Sequence, residues 1–104
     1  MNHFRILIAL SVAVTAGGAW ANPEAAMNKA GCMACHTKDK KLVGPSFKDI
    51  AAKYKGQADV VPKLMAKVRQ GGSGVFGPVP MAPNPPDKIN DADLKSAVEF
   101  ILKS

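Results

Sequence analysis

The sequence lacks long apolar runs, internal repeats and strand-like patterns. Its longest apolar stretch, from Ile6 to Val14, is too short for a membrane span of about 20 residues, and no later stretch is continuously apolar for that length. No low-complexity segment or long linker divides the chain. No segment is typical of a strand. These absences predict a single compact, mainly helical unit.

The first residues have the layout of an export signal. Arg5 precedes the apolar stretch, and small residues follow it at Ala19-Trp20-Ala21. The sequence predicts a secretory signal peptide over residues 1–21, cleaved after Ala21, and one domain over residues 22–104, with an uncleaved anchor as the alternative. Removing 21 of 104 residues leaves 83. Domains of that size usually need a metal, a disulfide or a cofactor to complete their core.

Positive charge exceeds negative charge along the chain. Fourteen Lys and Arg residues stand against eight Asp and Glu, and signal cleavage removes only Arg5. An excess of positive charge is compatible with binding to nucleic acid, anionic lipid or an acidic protein partner. Export from the cytoplasm argues against nucleic acid as the partner. The excess is either an ordinary solvated surface or a docking face, for which Lys38, Lys40 and Lys41 are the first candidates.

One short motif carries the chemistry. Cys32-Met33-Ala34-Cys35-His36 has the C-x-x-C-H pattern to which c-type haem is attached covalently. Two thiols three positions apart can reach the two vinyl groups of one porphyrin, and the adjacent imidazole can bind the iron. We therefore predict one haem c attached through Cys32 and Cys35, with His36 as an iron ligand. A buried haem would also supply apolar mass that so short a domain lacks.

Four stretches have the spacing or the end signals of helices. Pro23 suits the first turn of a helix that Gly31 ends, and Asn90 is the predicted N-cap of the last helix. Apolar residues recur at helical spacing in the later three stretches. They are Phe47, Ile50, Ala51 and Tyr54; Val60 or Val61, Leu64, Met65 and Val68; and Leu94, Ala97, Val98 and Ile101. The segment from Gly71 to Pro86 is rich in glycine and proline and predicts a non-helical loop.

Met81 is the predicted second iron ligand. It lies in Pro80-Met81-Ala82-Pro83, whereas Met27 and Met65 fall on apolar helical faces, where core packing explains them. Met33 is tethered on the histidine side of the porphyrin and cannot readily reach the other face. A thioether is a soft ligand that suits haem iron, and a rigid loop lowers the entropy cost of holding it there.

The domain resembles class I c-type cytochromes of the small bacterial c-551/c-552 group, the cytochrome c8 family. The resemblance rests on Gly31 to His36, Val43-Gly44-Pro45, Gly71 to Met81, and Phe100. It implies an all-α fold of about four helices around one haem, with the first and last helices crossed. It also implies that the Pro45 carbonyl accepts a hydrogen bond from Nδ1 of His36, and that Phe76 packs on the haem.

Two departures from the family pattern stand out. The family commonly carries a tryptophan that bonds a haem propionate where this sequence has Phe76, and Trp20 leaves with the signal peptide. Phenylalanine cannot donate that bond, so we expect a more solvated propionate or another donor, such as Arg69 or Lys67. The stretch Asn84-Pro85-Pro86-Asp87-Lys88 is a few residues longer than the corresponding family segment.

Ligation by His36 and Met81 would leave the iron no open position for a substrate. The expected function is a soluble, periplasmic one-electron carrier between respiratory complexes or reductases, not an enzyme. The expected partners are redox proteins that dock at a lysine-rimmed haem edge, with no nucleic acid and no stable membrane insertion after cleavage. The chain is expected to be a monomer.

Several alternatives remain open at this point. The domain could be a haem subunit that accepts electrons within a dehydrogenase complex, or a haem enzyme or gas sensor with an open sixth position. The open-site alternatives need distal acid–base groups, and His36 is the only histidine beyond the signal. An ordinary disulfide between Cys32 and Cys35 also remains an alternative. A thioredoxin-like redox pair would need a βαβ context that the sequence lacks, and a structural zinc site would need four ligands where the domain offers two cysteines and one histidine.

Overall fold

This computed structural model describes residues 22–104, which contain four α-helices and one short hairpin. The helices are α1 (Pro23–Ala30), α2 (Phe47–Tyr54), α3 (Val60–Gln70) and α4 (Asp91–Leu102); the strands are β1 (Gly72–Gly74) and β2 (Gly77–Met81). The predicted signal peptide, residues 1–21, lies outside the described residues. No helix within residues 22–104 has the length and apolar character needed to cross a membrane.

Side-chain caps fix where three of the helices begin. Asn22 Oδ1 accepts a hydrogen bond from the Ala25 amide ahead of α1, and Ser46 Oγ accepts one from Asp49 ahead of α2, each at 3.1 Å. Asn90 Oδ1 accepts from the Asp93 amide at 2.8 Å, which confirms the predicted cap of α4. Each such bond satisfies an amide that has no partner inside the helix. Each cap stabilises its helix by about 1 kcal/mol.

The helices bury one core, in which α1 and α4 pack against each other. Met27 of α1 and Leu94 and Val98 of α4 are almost completely buried. Phe100 meets the Phe47 ring edge-on, with centroids 6.3 Å apart, and so joins α4 to α2. Burying one such side chain stabilises the fold by about 1.5–3 kcal/mol. The predicted mainly helical fold is confirmed.

The segment between α3 and α4 differs from the prediction. We expected no strand there, but β1 and β2 form an antiparallel hairpin around a turn at Val75 and Phe76. Gly72 pairs with Met81 and Gly74 pairs with Gly77. The strands consist of Gly, Ser, Pro and Val, with one terminal Met, and are exposed on both faces, so no apolar alternation marks them. As a consequence, Met81 is the last residue of a paired strand.

Candidate haem site

The C-x-x-C-H motif forms a tight turn directly after α1. Gly31 ends α1 with a left-handed backbone (φ 87°), and a 3₁₀ turn, Cys32–Ala34, follows at once. The amides of Cys35 and His36 both donate to the carbonyl of Cys32, at 3.1 and 3.0 Å. This turn places the two cysteines and the histidine of the motif beside one another.

Both cysteines are free and partly exposed. Burial raises the pKa of the Cys32 thiol above its ordinary value, which favours the protonated thiol over the thiolate. Within residues 22–104, no three side chains of the His, Cys, Asp or Glu type gather into a group that could hold a metal ion. The motif therefore presents two neighbouring free thiols.

The His36 ring is held in one orientation. Its Nδ1 lies 2.8 Å from the Pro45 carbonyl oxygen, which can only accept, so Nδ1 carries the proton. The Phe47 ring stacks on the imidazole, with centroids 5.8 Å apart and an interplanar angle of 25°. A Cβ added to Gly44 would lie 2.5 Å from His36 Cε1, so only glycine allows this approach. The remaining nitrogen, Nε2, keeps a lone pair with which it can bind a metal.

Backbone hydrogen bonds fix the loop that carries Pro45. The amide of Gly44 donates to the Cys35 carbonyl at 2.8 Å, and the amide of Phe47 donates to the Thr37 carbonyl at 2.9 Å. Thr37 Oγ1 in turn donates to the Lys40 carbonyl at 2.6 Å. The loop is thereby fixed at both ends against the segment that contains His36, which keeps the Pro45 carbonyl beside the ring.

Met81 lies apart from the other methionines of the described segment. Met27 is buried between helices, and Met33 and Met65 pack against the same core. Met81 is partly exposed at the end of β2. The absence of a side chain at Gly71 lets the Met81 carbonyl approach closely, and a Cβ there would lie within 2.8 Å of the Pro83 amide nitrogen. The position of Met81 thus depends on backbone packing between the end of α3 and the segment after β2.

Asn84 fixes the chain just beyond Met81, and sequence reasoning missed this role. Its side chain is 8% exposed, and Nδ2 donates to the carbonyls of Ala82 at 3.0 Å and Val68 at 3.2 Å. The Asn84 amide also donates to Val68, again at 3.2 Å. The one signal available in the sequence was an asparagine beside prolines, which indicates a turn but names no partner.

Phe76 lies in the turn of the hairpin and is exposed. The Lys53 ammonium lies 5.5 Å from the centre of its ring. Lys67 reaches toward the hairpin, with its Nζ 3.5 Å from where a Cβ on Gly72 would lie. Of the two donors suggested for a propionate, Arg69 instead has other partners: the carbonyls of Asn84 and Ile89 and the carboxylate of Asp91. Lys67 remains as the candidate donor.

These residues fit haem c. The motif offers two thiols for thioether bonds, His36 offers a free imidazole nitrogen, and Met81 offers a thioether. Large apolar side chains are exposed on the loop after His36 and on the hairpin, as expected for segments that face an apolar macrocycle. They are Leu42, Val43, Val75, Phe76 and Val79.

Comparison with known proteins agrees with this description. The family model described as Cytochrome c matches residues 21–104. The chain is 52% identical over 85 residues to cytochrome c2 of Rubrivivax gelatinosus, an alignment covering 81% of this chain and 99% of that protein. It is 42% identical over 88 residues to cytochrome c-551 of Pseudomonas aeruginosa, covering 84% of this chain and 82% of that one.

A solved structure gives the same result for the fold. The crystal structure of Nitrosomonas europaea cytochrome c552 is 42% identical and superposes with a TM-score of 0.71, covering 77% of this chain and 96% of that one. The resemblance seen in the sequence is confirmed. The chain belongs to the cytochrome c family and is a mono-haem electron carrier of the c-551/c-552 kind, with haem c attached through its two cysteines, not an enzyme.

Proposed function

We propose that His36 and Met81 are the two axial iron ligands of this carrier, and that the protein works in the periplasm as a free one-electron shuttle between redox proteins. The observation that carries the proposal is the 2.8 Å contact between His36 Nδ1 and the Pro45 carbonyl. It fixes the tautomer in which Nε2 can bind iron, and such a bond raises the donor strength of the ring.

Each residue of the site has a separate task in this proposal. Bound haem c supplies the redox chemistry, the gain and loss of one electron at iron. Cys32 and Cys35 attach the cofactor, so it cannot dissociate in a dilute compartment. Pro45 and Phe47 hold the imidazole of His36 in place from two directions.

Met81 supports the carrier function in preference to catalysis. Binding of iron by both the Met81 thioether and the His36 imidazole would leave no open position for oxygen or a substrate. Such a Met/His ligand pair gives a higher reduction potential than two nitrogen ligands. His36 is the only histidine in residues 22–104, so the described segment offers no second imidazole for proton transfer. Met81 also follows Pro80, whose restricted backbone lowers the entropy cost of holding the ligand.

Lysines beside the site suit transient docking of acidic partners. Lys38, Lys40 and Lys41 are exposed, directly before the exposed apolar pair Leu42 and Val43. A positive surface of this kind speeds diffusional encounter and permits quick release, because the interaction is long-ranged and screened by salt. Electron-transfer rates with an acidic partner are accordingly expected to fall as ionic strength rises. A partner that binds in a permanent complex would show no such dependence.

The periplasmic assignment rests on the predicted signal at residues 1–21. Fractionation of cells that express the full chain provides the test, with an N-terminal sequence of the product. We expect the haem-containing protein in the periplasmic fraction, beginning at Asn22. Haem protein that still begins at Met1 in the membrane fraction would favour the uncleaved anchor.

Absorption spectroscopy tests the ligands directly. The oxidised protein should show a sulfur-to-iron band, and the reduced protein should not bind carbon monoxide. Met81→Ala should keep the covalent haem, lose the band, bind carbon monoxide and show a lower reduction potential. Met65→Ala is the matched control, because it also removes a thioether but from the helical core. An unchanged potential and band in Met81→Ala would assign the ligand to another residue.

A further inference from the structure

Arg69 joins three parts of the molecule through one guanidinium group. It lies near the end of α3, and its Nη1 donates to the carbonyl of Asn84 at 3.0 Å and to that of Ile89 at 2.6 Å. Its Nη2 lies 2.6 Å from Asp91 Oδ1, in the first turn of α4. Arg69 thus connects α3, the segment after Met81 (residues 82–90) and the beginning of α4.

The two carbonyl bonds are the stronger part of this connection. The Arg69 side chain is only 20% exposed, so its bonds to Asn84 and Ile89 are partly shielded from water. Hydrogen bonds from an ionised donor are roughly twice as strong as neutral ones. The Asp91 carboxylate is 86% exposed, and pairs of that kind contribute little because solvent screens them. Losing the guanidinium should therefore matter more than losing the Asp91 charge.

The segment between the two carbonyls has few other anchors. Pro85 and Pro86 have no amide hydrogen to donate. The amides of Lys88 and Ile89 donate to the Pro85 carbonyl, at 2.9 and 3.3 Å, which closes a turn within the segment itself. Tertiary attachment is found at its two ends, where Asn84 bonds to Val68, Arg69 bonds to both Asn84 and Ile89, and the Ile89 side chain is buried in the core.

The same contacts continue to Met81. Asn84 Nδ2 donates to the Ala82 carbonyl, immediately after Met81, and Gly71, two positions beyond Arg69, packs against the Met81 carbonyl. If the Asn84 carbonyl moved away from Arg69, Met81 would be expected to move as well, because only two residues separate Asn84 from Met81 and their backbone is packed against Gly71. The described contacts give Arg69 no direct bond to Met81, so any influence on the thioether acts through this backbone.

We propose that Arg69 is a positioning residue. Its bonds to Asn84, Ile89 and Asp91, called the Arg69 latch below, hold the segment after Met81 against α3 and α4 and so keep the Met81 thioether bound to iron. This inference rests on the proposed ligation by Met81. Arg69 is not itself a ligand, and its effect is on the ease with which a competing ligand displaces the thioether.

The test is competition by imidazole in the oxidised holoprotein, followed through the sulfur-to-iron band. In Arg69→Ala, imidazole should bind about tenfold more tightly than in wild type, which corresponds to about 1.4 kcal/mol. Arg69→Lys should fall between the two, because one ammonium cannot donate to both carbonyls and the carboxylate in the fork geometry of a guanidinium. Asp91→Asn should change the affinity by about twofold or less.

Two controls separate positioning from general effects. Lys63→Ala removes the same charge from the same helix, but Lys63 contacts Gln57 and the Tyr54 ring instead of the segment after Met81. Asn22→Ala removes the cap of α1, a helix that contains neither His36 nor Met81, and is expected to lower stability. Both variants should bind imidazole within about twofold of wild type. The free energy of unfolding is measured for each variant, so that a loss of stability can be told from a loss of positioning.

The outcomes distinguish this inference from the proposed function. A wild-type protein without a sulfur-to-iron band would overturn the ligation by Met81 itself. A wild-type band together with equal imidazole affinity in Arg69→Ala and Lys63→Ala would overturn the latch alone. If Arg69→Ala gives no holoprotein, Arg69→Lys decides: an affinity equal to that of wild type rejects the latch, and a higher affinity supports it.

Discussion

The two sides of the haem site are built in different ways. His36 is fixed by contacts with its own side chain, and its partner Pro45 lies only nine positions away. Met81 is fixed through backbone, by pairing with Gly72 and by a segment whose anchors span 15 to 20 positions. The histidine side is thus local and direct, whereas the methionine side depends on the packing of α3 and α4.

This difference indicates which of the two proposed iron ligands is displaced more easily. Moving His36 away requires the loss of a hydrogen bond and of a stacked ring at the ligand itself. Moving Met81 requires that its strand pairing with Gly72 and the segment after it loosen, and both of these are backbone attachments. Changes on the histidine side should therefore appear mainly as lost stability, and changes on the methionine side mainly as easier ligand exchange.

The largest effect is expected from Gly44→Ala. The new Cβ would lie 2.5 Å from His36 Cε1, and the ring cannot move without losing Pro45 or Phe47. Overpacking of this kind should lower the free energy of unfolding of the holoprotein by about 2–3 kcal/mol. Denaturant unfolding measures this.

Gly56→Ala is the matched control for that change. A Cβ on Gly56 meets no atom within 4 Å, but φ is +76°, so backbone strain is the only cost. A left-handed non-glycine residue should cost about 1–2 kcal/mol. Gly44 has no left-handed backbone, so its loss would come from contact with the imidazole, and a loss in Gly44→Ala below about 1 kcal/mol would contradict the expected overpacking.

Asn84→Ala should have the next largest effect, on the opposite side of the site. It removes two side-chain hydrogen bonds of a residue that is 8% exposed, at a cost of about 1–2 kcal/mol in unfolding free energy. Imidazole should also displace Met81 more readily than in wild type. Lost stability with unchanged imidazole affinity would contradict the proposed difference between the two sides.

Ser46→Ala tests the difference between the histidine side and the methionine side with a smaller expected effect. Ser46 caps α2 beside Pro45, and its loss should cost about 1 kcal/mol of unfolding free energy. Because this cap belongs to the histidine side, the sulfur-to-iron band and imidazole affinity should stay as in wild type. Thermal unfolding measures the loss of stability, and an imidazole titration measures the affinity. Increased imidazole affinity would contradict the proposed independence of the histidine side and the methionine side.

The smallest effect is expected from Phe76→Trp in the hairpin. The indole would return a hydrogen-bond donor where Phe76 has none, while Lys53 stays close to the ring. The curve of reduction potential against pH should shift by roughly 60 mV or less, the equivalent of a tenfold change in a one-electron equilibrium. Potentiometry over a range of pH tests this, and superimposable curves would exclude a role for the missing donor.

The sequence was most informative where residue type alone dictates structure. Pro23 and Gly31 marked the ends of α1, and Asn90 marked the beginning of α4, because these residues satisfy specific backbone needs. The hairpin was missed because β1 and β2 are exposed and rich in glycine and proline, so they carry neither alternation nor strand propensity.

The attachment of the methionine side was missed for a different reason. Arg69 and Asn84 bond mainly to main-chain carbonyls, and every residue carries a carbonyl, so no side-chain pattern identifies the partner. The sequence alone suggests Arg69 as a donor to a haem propionate. Only the packing of α3 against the later segment shows which carbonyls its guanidinium reaches.

The local construction of the histidine side also bears on the order in which the protein assembles. Closing a short loop costs little chain entropy, so Cys32 to Pro45 can adopt its contacts early, whereas the contacts around Arg69 must wait for distant segments to meet. During stopped-flow refolding of the holoprotein, the sulfur-to-iron band should therefore appear last, together with the final burial of α4. An early band would contradict this order. If the order holds, the colour of the protein reports whether its folding is complete.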